Sequence, residues 1–241
     1  RKEKKTEIIA GYPWFGSWGR DTFISLPGLT LSTGDIKTCK EILDTMTLKL
    51  KNGLFPNISS QRSPVFNSVD APLWYIWAIQ QYTKKVNSPR KVWHSYSEPI
   101  KSILQNYRVG TLHNIGMKEN GLICAHEPGK ALTWMDAIVD GKPVTPRYGC
   151  PVEINGLWYN AVMFALEMAK VNNEDDFLEE WGELPERIKE SFIKNFWNEE
   201  KGYLADVVFE GEADWSIRPN QIIAVSLDYS PVNDDIRKSV I

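Results

Sequence analysis

Basic charge is in short supply in this 241-residue sequence: 28 Lys and Arg stand against 31 Asp and Glu, a net charge of −3. Such a balance offers no bulk attraction for nucleic acid or for an anionic membrane surface. The only basic run is confined to residues 1–5. No stretch approaches the roughly 20 consecutive apolar residues that cross a bilayer, so neither nucleic acid nor membrane is an expected partner. Cysteine is scarce too. Cys39, Cys124 and Cys150 are odd in number, widely spaced and not in metal-ligand pairs, which argues against a zinc site and against a disulfide framework. No repeat of solenoid period and no low-complexity linker divides the chain. It reads as a single domain over 1–241. The charged start lacks the apolar core of a secretory leader, and a cytoplasmic protein is expected. The chain opens without Met and stops at Ile241 in a helical pattern, so it reads as a domain truncated at its C-terminus.

What is present in excess is tryptophan, ten residues beside nine Tyr and nine Phe. Many of the Trp sit next to Gly, Pro, Asp or Arg rather than inside apolar runs. A large core uses Trp for its area; a sugar site uses it as a flat wall for the apolar face of a ring. Helical periodicity dominates the rest. Apolar spacing marks helices around Leu26 to Thr33, Ile36 to Leu50, Leu73 to Tyr82, Val92 to Tyr107, Leu157 to Val171, Glu183 to Trp197 and Pro219 to Leu227. Asp70 or Ser68 caps the third of these. The helix from Leu157 is apolar nearly all round, whereas that from Glu183 carries a charged face. Short strands fit Gly121 to Cys124 and Tyr203 to Phe209. Alternating inner and outer helices with long polar connections suggest an all-α, toroidal arrangement.

Three connecting segments concentrate polar and aromatic residues where solvated loops would be bland. In Gly11 to Thr22, Arg20 and Asp21 stand beside Trp14 and Trp18 and supply charge-assisted donors and acceptors for neighbouring hydroxyls. Asp21 paired with Arg20 at a helix N-terminus is the structural alternative. In Thr133 to Ala137, Asp136 is flanked by Trp134 and Met135, and apolar surroundings would disfavour its charged form. An exposed turn aspartate is the alternative there. In Pro151 to Asn160, Glu153 opens the most apolar helix, where it either caps that helix or reaches a hydroxyl.

Taken in order, these strings resemble the amylo-α-1,6-glucosidase module of glycogen debranching enzymes. They are Ile9 to Gly16 with Trp18 to Thr22, Asn67 to Ala71 with Leu73-Trp74, Leu132 to Ala137, Thr145 to Arg147, Val152 to Asn155 with Leu157 to Asn160, and Arg218-Pro219-Asn220-Gln221. The resemblance implies an inverting glycoside hydrolase with an (α/α)6 toroid, of which about the first half to two-thirds is present here. It implies removal of α-1,6-linked glucose from branch points of a glycogen-like glucan. Asp136 matches the general acid, and Arg20 and Asp21 match the pair that holds the outer hydroxyls of the terminal glucose. Trp18 and Trp134 would wall the sugar pocket, and Asp70, Trp74, Arg147, Glu153 and Trp158 would line it. No metal and no organic cofactor is implied.

Two positions depart from the family pattern: Ser17 stands where an acidic residue is usual, and Ile138 where many relatives carry Lys. An inverting glycosidase needs two carboxyl groups roughly 6.5–9.5 Å apart. The family's base resembles a Glu downstream of the Arg-Pro-Asn-Gln string, which places it beyond Ile241. Glu153, Glu127 and Asp214 are the candidates within the chain, without a motif to support them. A related hydrolase of α-1,4-glucan or of a disaccharide, or a non-catalytic carbohydrate-binding fragment, are the competing readings. A truncated toroid would expose apolar faces and self-associate.

Overall fold

The computed structural model describes residues 6–57 and 64–241; the basic run at 1–5 lies outside them. Helices dominate: α1 (Gly19–Leu26), α2 (Ile36–Thr47), α3 (Ala71–Val86), α4 (Pro89–Val109), α5 (Val152–Asn172), α6 (Asp175–Trp181), α7 (Leu184–Phe196), α8 (Asn220–Ser226) and α9 (Asp234–Val240). Three segments differ from the sequence expectation. The Gly11 to Thr22 cluster is not wholly loop, because the chain turns helical at Gly19 and puts Arg20 and Asp21 in the first turn of α1. The apolar stretch after Leu26 continues as a π-helical segment, Pro27–Leu31. α6 was not legible, since its run Asp175 to Trp181 buries only Phe177 and Trp181.

Local chemistry sets the helix ends. The Asp35 carboxylate accepts from Thr38 N at 3.0 Å and starts α2, whose buried Cys39, Ile42, Leu43 and Met46 repeat at helical spacing. At the start of α3 the Ser68 hydroxyl, not Asp70, accepts from Ala71 N at 3.3 Å. α3 and α5 end on Asn87 and Asn173 with φ of 48° and 58°, the left-handed geometry that asparagine tolerates.

α5 is the hub. It is buried on most sides and packs against α3, α4, α6, α7 and α8. α3 in turn contacts α1, α2 and α4. Around this helical body lie short antiparallel pairs. β1 (Gly116–Met117) pairs with β2 (Ile123–Cys124), β3 (Ile138–Val139) with β4 (Lys142–Pro143), and β6 (Trp197–Asn198) with β7 (Tyr203–Leu204). β5 (Cys150–Pro151), β8 (Val207–Phe209) and β9 (Glu212–Asp214) form a sheet in the order β5-β8-β9. Asn155, in the second turn of α5, accepts from Ile123 N at 2.7 Å and donates to Ile123 O at 3.0 Å, fastening β2 to the hub.

The expectation about cysteine fails. Cys124 and Cys150 are joined as a disulfide, and Cys39 is free and buried. A separation of 26 residues hid the pair, because β2 and β5 become neighbours only through the Ala125–Gly149 bridge. Among the described residues no helix is long and apolar enough to cross a membrane.

Candidate active site

The loop from Gly11, the first turn of α1 and the Trp134–Asp136 loop converge on one open cavity of about 420 Å³. Its walls are Phe15, Trp18, Arg20, Asp21, Trp134 and Asp136, with Ala10 and Gly11 at the margin. Phe15 meets Trp18 edge to face at 6.0 Å. Trp134 is 40% exposed, and its indole N–H donates to Asn220 Oδ1 at 2.7 Å. A partly exposed ring in a cavity wall, tethered at its polar edge, is suited to stacking against a sugar.

Arg20 is the organising charge of the floor. It is 7% exposed and does not pair with Asp21. Its Nε donates to Asp70 Oδ2 at 2.6 Å, Nη2 to Ser68 Oγ at 3.3 Å, and Nη1 to Asp136 Oδ2 at 3.2 Å. The Ser68 hydroxyl also donates to Asp70 Oδ1. Burial works against the Arg20 charge, but the carboxylates of Asp70 and Asp136 outweigh it and hold the guanidinium above its ordinary pKa. Asp136 therefore sits beside a cation as well as among aromatic rings, with its side chain one-third exposed.

Of the residues expected to shape the pocket, Trp18, Arg20, Asp21, Trp134 and Asp136 come together in this wall. Asp70 lies beneath it, 1% exposed and bound to Arg20. The other four are elsewhere. Trp74 is 9% exposed and packs edge-on against Trp77 in α3. Trp158 is wholly buried, stacks on Tyr107 at 6.1 Å and donates to Gly121 O at 3.1 Å. Arg147 and Glu153 meet in a bidentate pair whose side chains are 2% and 1% exposed. Of the two departures, Ser17 is buried beside the cavity segment and Ile138 is exposed on β3.

A buried ion cluster stands behind the Trp134 wall. Arg147 donates from Nε to Asp206 Oδ2 at 2.8 Å and from Nη2 to Asp206 Oδ1 at 3.0 Å. Arg218 Nη1 reaches Asp206 Oδ2 at 2.7 Å and Asp214 Oδ2 at 2.8 Å. Asn220 Nδ2 donates to Asp206 Oδ1 at 2.6 Å. Burial opposes the charge on Arg147, yet Glu153 and Asp206 hold it above its ordinary pKa. The sequence singles out Asn220 only as a member of the Arg218-Pro219-Asn220-Gln221 string, and Asp206 not at all. An aspartate inside the apolar run Leu204-Ala205-Asp206-Val207-Val208 was the available signal, because a buried charge requires a partner.

The in-chain candidates for a base are all in ion pairs and none lines the cavity. Glu153 binds Arg147; Glu127 binds Lys130 at 2.6 Å and also His113; Asp214 binds Arg218. Lys130 first, and His113 with it, hold the Glu127 carboxyl below its usual range.

The amylo-alpha-1,6-glucosidase family model matches residues 1–241. The glycogen debranching enzyme of Saccharomyces cerevisiae is 26% identical over 319 aligned residues, which cover 93% of this chain and 20% of that protein. The chain thus spans about a fifth of the length of the curated relative it matches. In fold it is similar to the GH78 family rhamnosidase of Bacillus sp. GL1, with a TM-score of 0.57 and 15% identity over 79% of this chain and 18% of that one. It is also similar to a rhamnosidase from Klebsiella oxytoca with rhamnose bound, with a TM-score of 0.51 and 11% identity over 84% of this chain and 36% of that one.

Proposed function

Because the chain belongs to the amylo-alpha-1,6-glucosidase family, we propose that it removes α-1,6-linked glucose from a glycogen-like glucan by an inverting mechanism with Asp136 as general acid. The observation that carries this reading is the cavity in which Asp136 stands between Trp134 and Arg20, with Trp18 and Asp21 in the same wall. In it the terminal glucose stacks on Trp134 and Trp18. Arg20 and Asp21 bind its outer hydroxyls, one as donor and one as acceptor. A hydroxyl that accepts from Arg20 Nη1 draws that donor away from Asp136 Oδ2. Freed of that partner, the Asp136 carboxylate takes a proton from solvent and, as the neutral acid, delivers it to the departing glycosidic oxygen.

Glu153, Glu127 and Asp214 are all occupied by cations outside the cavity, so we assign the water-activating base to a carboxylate other than these three. Asp70 supports the sugar through Arg20 rather than by contact. The same reading takes the helices as part of an (α/α)6 toroid. In its favour, α3 and α5 are buried on most of their surface, whereas α2, α4 and α7 bury one face.

The test is glucose release from a phosphorylase-limit dextrin by the full-length protein, with the anomer resolved by NMR. β-Glucose is the expected first product. Asp136→Asn should lower turnover on the order of 1,000-fold, the middle of the range for general acid catalysis, with sugar affinity nearly unchanged. Undiminished release by that variant overturns the role of Asp136. Release from linear α-1,4-glucan alone transfers the assignment to that substrate.

A further inference from the structure

We infer that Asn220 is a positioning residue for the acid-bearing loop, holding Trp134 and Met135, and through them Asp136, against a buried ionic anchor. The inference rests on Asp136 as the acid and adds a residue to that site. It also finds a role for the Arg218-Pro219-Asn220-Gln221 string, which the proposed chemistry leaves unused.

Asn220 is the first residue of α8 and is wholly buried. The orientation of its amide follows from its partners. An indole N–H can only donate, so at 2.7 Å Oδ1 is the acceptor from Trp134 Nε1. The Asp206 carboxylate accepts, so at 2.6 Å Nδ2 is the donor to Asp206 Oδ1. Nδ2 also lies 3.6 Å from Met135 Sδ. One side chain therefore engages both residues that precede Asp136.

The anchor at the other end is rigid. Asp206 is gripped by Arg147 and Arg218, and Arg147 is locked to Glu153 on the first turn of α5. α8 lies flush on α5: a Cβ placed on Gly156 would sit 2.7 Å from Ala224 Cα. The Gln221 Oε1 accepts from Leu204 N at 3.1 Å and ties the start of α8 to β7. The loop Thr133–Asp136, by contrast, has neither helix nor strand of its own. A site residue on irregular backbone keeps its geometry through the side chains that brace it. Only a planar amide of this length gives Trp134 an acceptor and Asp206 a donor together. Aspartate loses the donor, and leucine loses both.

The test uses the full chain and begins without sugar. In the unsubstituted protein the indole ¹H–¹⁵N signal lost in Trp134→Phe is expected to exchange with solvent at least about 10-fold more slowly than that of Trp14, which is 83% exposed. Equal rates overturn the inference, and this measurement stands even where a variant fails to fold. Asn220→Leu should abolish the protection and raise amide exchange over residues 132–137. In an active full-length protein, Asn220→Leu should lower kcat on the order of 100-fold, the scale of a misplaced reacting group, with KM less affected. That loss should shrink when Trp134 is already Phe. A loss undiminished in the Trp134→Phe background assigns Asn220 a purely structural role and overturns the inference. Absence of glucose release by the unsubstituted protein sinks the proposed hydrolysis and leaves the exchange result to decide the role of Asn220.

Discussion

Arg20 makes three contacts to residues that are 48, 50 and 116 positions away, so a single guanidinium joins α1, the start of α3 and the acid loop. The five-donor fork of arginine makes that possible, and lysine at this position could not serve three acceptors in one plane. Asp214 shows the same dependence on partners at the edge of the buried cluster. Burial alone would raise its pKa, but hydrogen bonds from Ser216 and the charge of Arg218 bring it down to about 2. An unfolded aspartate titrates near about 3.9. The stabilisation Asp214 contributes is therefore fully present above pH of about 4 and is lost as pH falls through the folded value near 2. Thermal unfolding of the parent and of Asp214→Asn should differ at pH 6 and converge near pH 2. A constant gap across that window would contradict the Arg218 pairing. Arg20, Asp21, Trp134 and Asp136 were legible as residue types in distinctive strings. Asp206 was not, because its role consists of partners 12, 14 and 59 residues away.

α5 and α8 pack with almost no gap, and the reason is Gly156. Any side chain there meets Ala224 backbone and Cβ at 2.7 and 2.8 Å, so the two helices must part to admit even a methyl. Overpacking of this kind costs roughly 1–3 kcal/mol. Gly156→Ala should lower the unfolding midpoint accordingly, and because α8 begins with Asn220, it should also speed exchange of the Trp134 indole proton. A stabilising effect, as expected for Gly to Ala in a helix interior with free space, would show that the interface is looser than described. The periodicity of α2, α4 and α7 was readable because each buries one face. α1 was not, since its seven positions after Gly19 mix Arg, Asp, Thr and Ser with a few apolar residues, and its burial comes from α3.

Across the whole molecule, the segment from Cys124 to Cys150 is the long excursion that carries Trp134, Asp136 and Arg147, and its two ends are stapled together. Closing a 26-residue loop in this way restricts the unfolded chain by about 3.5 kcal/mol in the chain-entropy picture. Replacing both cysteines by serine should lower stability by that order, measured by denaturant unfolding without reductant. An unchanged midpoint would mean that β2 and β5 need no covalent link. The helical class, the positions of most of the long helices, the family and the strings from which the cavity is built are all readable along the chain. Those are properties of local periodicity and of residue order, which a linear chain displays directly. Packing selects which members of those strings face the cavity. It put Arg147, Glu153 and Trp158 in the interior, set Arg20 between Asp70 and Asp136, and brought Asn220 across 86 residues to the Trp134 indole. Each of those outcomes depends on pairing a buried charge or donor with a partner far along the chain, and that requirement is satisfied only once the helices have packed.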